Sequence, residues 1–271
     1  MKSFKQYYRE TVEIDNSQFP NPLPKSWVGQ FHTKGQQDGD QTDDIVKTKH
    51  KAWDANKLRP TQQDIYLGKS LKFAIGDPKQ GFGPMKGGDL GAVVSKDGRI
   101  LDGHHRWAAT NWNIDPTKKA VKTESKVGGI EADLGISDLV PVLRAVGDSF
   151  GNKRSPGGKD KGKSQIRNAS KETAYKTITT NSGDLGPNDA GGLENRKAWL
   201  KRMGGDTEKK QKQFLHKRLD WFRQHQSNLQ QTRDQMPVID KDKGQVATTA
   251  GLLNRGDIDV RKPYAKGWAR D

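Results

Sequence analysis

The chain has no cysteine among its 271 residues, which excludes disulfides, thiolate metal sites and a cysteine nucleophile. Apolar residues are also scarce, at 31% of the chain, with aromatics at 7%. The core must therefore be small. No run of about eighteen apolar residues exists to span a membrane, and the opening residues lack an apolar signal region. The expectation is a cytoplasmic protein without a membrane segment. Negative charge is the minority, with 33 Asp+Glu against 48 Lys+Arg, a balance of +15. That excess favours polyanionic partners, nucleic acid first.

The run from Asp97 to Ala109 is the most informative part of the chain. Leu90 to Val94 is apolar and β-prone, Ser95-Lys-Asp-Gly98 is a turn, and Arg99-Ile-Leu101 is a returning strand, so a hairpin is predicted. Asp102-Gly103 stops the second strand. From His104 through Trp107, Ala108 and Ala109 to Trp112 the pattern predicts a helix capped by Asp102 or Gly103, with no breaker before Pro116.

The first turn of such a helix presents unpaired backbone N–H groups and the positive end of the helix dipole. His104, His105 and Arg106 add three cation-capable side chains to that turn, where electrostatics disfavours them unless an anion is bound. The expected role is a phosphate cradle. A structural alternative pairs Arg106 with Asp102. A metal held by His104 and His105 is disfavoured, because adjacent helical positions diverge by about 100°.

Asp102-Gly-His-His-Arg106, preceded by a strand and followed by Trp-Ala-Ala, resembles the phosphate-binding signature of the ParB/sulfiredoxin superfamily. Upstream, Leu58-Arg-Pro-Thr-Gln-Gln-Asp-Ile-Tyr-Leu-Gly-Lys-Ser-Leu71 resembles the first box of that fold, a strand ending in a Pro-containing loop before a helix. The likeness continues through Gly87-Gly-Asp-Leu-Gly91 and Ile136-Ser-Asp-Leu-Val-Pro-Val-Leu143, covering roughly residues 50 to 150. It departs from sulfiredoxins in having no reactive Cys. It departs from partitioning proteins in lacking the Glu-Arg-Arg form of the second box and an evident downstream helix-turn-helix.

The resemblance implies an α+β fold, a small mixed sheet with surrounding helices. It also implies that Gly103, His104, His105 and Arg106 hold nucleotide phosphates while Thr61, Gln62, Gln63 and Asp64 face them. Asp64 is the candidate general base, on a first-box helix expected to begin there, and His105 is the second catalytic candidate. Thr61-Gln-Gln-Asp64 also fits a variant capping box, a purely structural role. Asp102 could hold Mg²⁺ beside the phosphates of a nucleoside triphosphate or diphosphate.

Residues 1–50 read as a polar extension, with Phe19-Pro-Asn-Pro-Leu-Pro24 enforcing extended chain. Its first residues, Met1 to Tyr8, are similar to the openings of several tailed-phage proteins, and a phage-encoded chain would be expected in the host cytoplasm or a virion. Residues 51–150 form the expected ParB/sulfiredoxin-like domain. Residues 151–190 read as a basic Gly-rich linker, in which Lys153, Arg154, Lys159, Lys161, Lys163 and Arg167 contact nucleic-acid phosphates without base stacking. Residues 191–271 read as a mostly helical basic extension, with helices over 193–203 and 207–231 and a small cap. In the second helix Leu215, Leu219, Phe222 and Leu229 form the packing stripe.

Three functions are consistent with this pattern. The foremost is a ParB-like nucleotide- and phosphate-binding protein acting on DNA, as a nuclease or an NTP-hydrolysing switch. The others are an ATP- or ADP-dependent kinase resembling the free-serine kinase, and a non-enzymatic phage scaffold that contacts DNA.

Overall fold

A computed structural model describes residues 48–62, 65–85, 87–114, 125–136, 139, 163–225, 238–242 and 245–248. Five strands form one mixed sheet in the order β1-β5-β3-β4-β2: β1 Thr48–Asp54, β2 Arg59–Pro60, β3 Gly88–Ser95, β4 Arg99–Asp102 and β5 Lys126–Ala132. β3 runs antiparallel to β4 and parallel to β5, while β1 pairs antiparallel with β5 and β2 parallel with β4. The helices are α1 Leu67–Ile75, α2 His104–Asn113, α3 Lys171–Thr179, α4 Leu193–Gly204 and α5 Glu208–Gln224. A separate hairpin joins β6 Val238–Asp242 to β7 Gln245–Thr248. The architecture is α+β.

The predicted hairpin and helix form where the sequence places them. The Ser95 hydroxyl organises the turn, bonding to the Asp97 carboxylate and accepting from Arg99 N–H at 3.1 Å, while Gly98 N–H donates to Ser95 O at 2.9 Å. α2 follows directly on β4 and ends at Asn113, where Ile114 N–H still donates to Thr110 O at 3.0 Å. α5 is capped by Thr207, whose Oγ1 accepts from Lys210 N–H at 3.3 Å, and it buries Leu215, Leu219, Trp221 and Phe222. Leu229, expected on the same stripe, lies outside the described residues.

Two expectations are revised. The first-box helix begins at Leu67, not at Asp64, and its cap position is Tyr66 with no side-chain bond. The Thr61 hydroxyl is not a cap because it donates to Ile100 O at 2.6 Å, while Leu67 N–H, at the helix start, is satisfied by Ser164 O at 2.8 Å. The segment read as a linker over 151–190 carries core from Ile166 onward: Ile166, Ala169, Ala174, Ile178, Leu185 and Ala190 are all buried. These small apolar residues recur every three to seven positions, enough to seat α3 although the segment's composition is polar and basic.

One core joins both halves of the chain. Ala92, Val94, Ile100 and Val127 of the sheet pack with Trp107 and Trp112 of α2, and the outer side of α2 is covered by Trp221 and Phe222 of α5. Phe222 lies 5.1 Å from Trp112 and 5.7 Å from Trp107, between ring centroids. Aromatic pairs of this kind contribute about 0.5–1.5 kcal/mol beyond their buried area. Three buried indoles find an acceptor: Trp107 on Ala55 O at 2.7 Å, Trp112 on Ser70 Oγ at 3.1 Å and Trp199 of α4 on Asn113 Oδ1 at 2.8 Å.

Glu131 on β5 is 2% exposed, and its carboxylate accepts from Lys51, from Lys49 Nζ at 3.0 Å and from Trp53 Nε1 at 3.2 Å. Burial acts to raise its pKa, but the hydrogen bonds and charges of Lys51 and Lys49 outweigh burial and hold the carboxyl below its ordinary value. A carboxyl lowered on folding stabilises the fold above its unfolded pKa, and the gain is lost as pH falls through the folded value. Thermal melts should accordingly show Glu131→Gln with a shallower loss of stability below about pH 4.3 than the parent. Parallel acid limbs in the two proteins would refute this assignment.

Candidate functional site

The site is built where β4 turns into α2. Gly103 makes the turn with φ +93°, a conformation that strains any other residue, and a Cβ there would sit a tight 3.2 Å from both Cα and Cβ of Ala92. The hydrogen-bond ladder of α2 begins with Trp107 N–H donating to Gly103 O at 2.8 Å. The amides of His104, His105 and Arg106 precede that ladder and point past the helix end, the ordinary disposition of an anion site.

Arg106 reaches back along its own helix. Its Nη2 donates to Asp102 Oδ2 at 3.0 Å and to Gly91 O at 3.2 Å, which ties the α2 start to the bulge in β3 between Asp89 and Ala92. Both side chains of the pair are about one-third exposed, so the guanidinium keeps a face toward solvent. Asp102, the candidate for Mg²⁺, is thus also the partner of Arg106. Among the described residues no group of three or more His, Asp or Glu could hold a metal ion.

The two imidazoles face the first box. His104 Nε2 accepts from the backbone N–H of Thr61 at 3.3 Å and of Gln62 at 3.1 Å, and His105 Nε2 accepts from Tyr66 N–H at 3.1 Å. An amide can only donate, so in this arrangement both Nε2 atoms are unprotonated and any ring proton of a neutral imidazole sits on Nδ1. Both residues are buried, at 5% and 8% exposure, and the His105 ring stacks on Tyr66 with centroids 5.8 Å apart. His105 could serve as a catalytic acid or base through Nε2 only by releasing Tyr66. The pair acts as a latch that ties Thr61, Gln62 and Tyr66 to the start of α2.

The structure thus brings Thr61, Gln62, Gly103, His104, His105 and Arg106 into one place. Gln63 and Asp64 lie outside the described residues, as do Lys153, Arg154, Lys159 and Lys161. Lys163 is exposed, and Arg167 donates from Nε to Gln165 Oε1 at 2.7 Å. One neighbour was not foreseen. Residues 164–166 run beside the first box, with Gln165 bridging Tyr66 and Ile166 N–H donating to Ile65 O at 2.9 Å. Nothing local in the sequence signals this pairing, which joins positions about a hundred residues apart.

Compared with known proteins, the chain matches no protein-family model, no curated sequence and no solved structure.

Proposed function

We propose that the start of α2 is a phosphate-binding elbow for a nucleotide and that the protein acts on DNA, as a nuclease or a nucleotide-driven switch. The observation that carries this reading is the strand–Gly103–helix turn, whose first amides open beside a first-box loop held in place by His104 and His105. The phosphates would lie on the amides of His104 to Arg106, with the Arg106 guanidinium alongside. Mg²⁺, if used, would be shared between Asp102 and the nucleotide, since Mg²⁺ commonly binds one or two carboxylates and completes its shell with phosphates and water. Asp64 is the proposed base. The charge of +15 supports DNA over a small-molecule kinase substrate, and the cations of 153–167 are its proposed contacts.

Isothermal titration with ATP, ADP, CTP and GTP plus Mg²⁺ tests the elbow. Saturable binding of at least one nucleotide is expected, with Arg106→Ala weakening it tenfold or more while melting shows the variant folded. A charge-assisted contact of about 1.5–3 kcal/mol corresponds to that loss. One observation favours a second reading, a non-enzymatic DNA-contacting scaffold of a phage: both imidazole Nε2 atoms are already used on loop amides. Titrations silent for every nucleotide would select it.

A further inference from the structure

A second cationic corner lies at the β2 edge of the sheet. Arg59 of β2 and Arg99 of β4 are register partners on neighbouring parallel strands, about 4.8 Å apart in the hydrogen-bonding direction. Arg59 Nη1 is held by the carbonyls of Asn56 and Leu58, each at 2.9 Å, and no carboxylate shares it in these bonds. The Arg99 guanidinium has no hydrogen-bond or ion-pair partner among the described residues. Burial and the charge of Arg99 both hold Arg59 below its ordinary pKa, the mark of two like charges left facing each other.

The end of α5 joins this corner. His225 stacks on Trp221 at 4.0 Å, its Nδ1 bonds to Trp221 O at 2.8 Å, and it feels the charge of Arg59. Arg223, two residues before it, pairs with Asp220 at 2.6 Å and donates from Nε to Arg167 O at 3.2 Å and from Nη2 to Ala169 O. The segment that receives Arg223 is continuous with Ser164 and Gln165, which bond to Leu67 and Tyr66 at the first box. One stretch of chain therefore leads from the corner to the α2 elbow.

We propose that Arg59, Arg99 and Arg223 form a binding surface for the phosphodiester backbone of a single nucleic-acid strand, separate from the elbow. Guanidinium pairs match phosphate oxygens in forked geometry, and an anion between Arg59 and Arg99 removes their mutual repulsion. A surface drawn from β2, β4 and α5, in a chain of net charge +15, suits an extended polyanion better than one small ion. The proposal rests on the nucleic-acid part of the function above and is independent of the nucleotide part.

The test is fluorescence anisotropy of a labelled single-stranded oligonucleotide against the full chain over a range of salt. Arg59→Gln with Arg99→Gln should flatten the slope of log K against log salt by about 1.4, two contacts at about 0.7 each for a single strand. Arg99→Gln alone removes a side chain without described partners, so it leaves folding intact, and it should flatten the slope by about 0.7. Arg106→Ala should keep the parental slope. An unchanged slope in the Arg99 variant, or no oligonucleotide binding by the parent at low salt, overturns the proposal. Flattened slopes with silent nucleotide titrations would retain the corner and remove the elbow; nucleotide binding with unchanged slopes would do the reverse.

Discussion

Gly129→Ala is expected to abolish the folded state. A Cβ at this position of β5 would lie 2.1 Å from Ala92 O and 2.5 Å from Ala92 N. Both are backbone atoms, so no side-chain rotation relieves the overlap. β3 and β5, the central parallel pair of the sheet, would have to separate. The loss should exceed about 4 kcal/mol, a large part of the 5–15 kcal/mol that stabilises an ordinary domain. Gly135→Ala is the control: nothing lies within 4 Å of its would-be Cβ, and its denaturation midpoint should stay close to the parent's. A folded Gly129→Ala protein with the parental midpoint would mean that β3 and β5 do not approach as described.

His104→Ala should lower stability by about 1–3 kcal/mol, since Gln62 N–H loses this acceptor while Thr61 N–H keeps Ile100 O at 3.2 Å. His104→Gln should recover much of that loss, because Gln Oε1 can stand where Nε2 accepts now. Urea unfolding of the three proteins measures the difference. If alanine and glutamine behave alike, the imidazole is not an acceptor for Thr61 and Gln62.

The hairpin, the Gly103 elbow and α2 were legible because each is coded locally: a turn with Asp-Gly, a β-prone run, and helix-forming residues after a glycine. The hydrophobic stripe of α5 was legible for the same reason, apart from Trp221, which reaches α2 beside Phe222. What the sequence concealed is long-range. The seating of the 163–190 segment on the core depends on a few small apolar residues within a basic stretch, and composition outweighed them. The start of α1 was misplaced because Thr61 spends its hydroxyl on β4, a partner 39 residues away. The imidazoles of the second box suggested phosphate ligands by charge, whereas their Nε2 atoms meet backbone amides of the first box.

The shared core also sets an order for biosynthesis. The faces of Trp107 and Trp112 that meet α5 stay uncovered until Phe222 has been made, more than a hundred residues after Trp112. At about 5–20 residues per second, the sheet half waits roughly 5–20 s on the ribosome with indoles open to water. Nascent chains stalled shortly after residue 150 should therefore recruit holdase chaperones, and those stalled well beyond residue 225 should not.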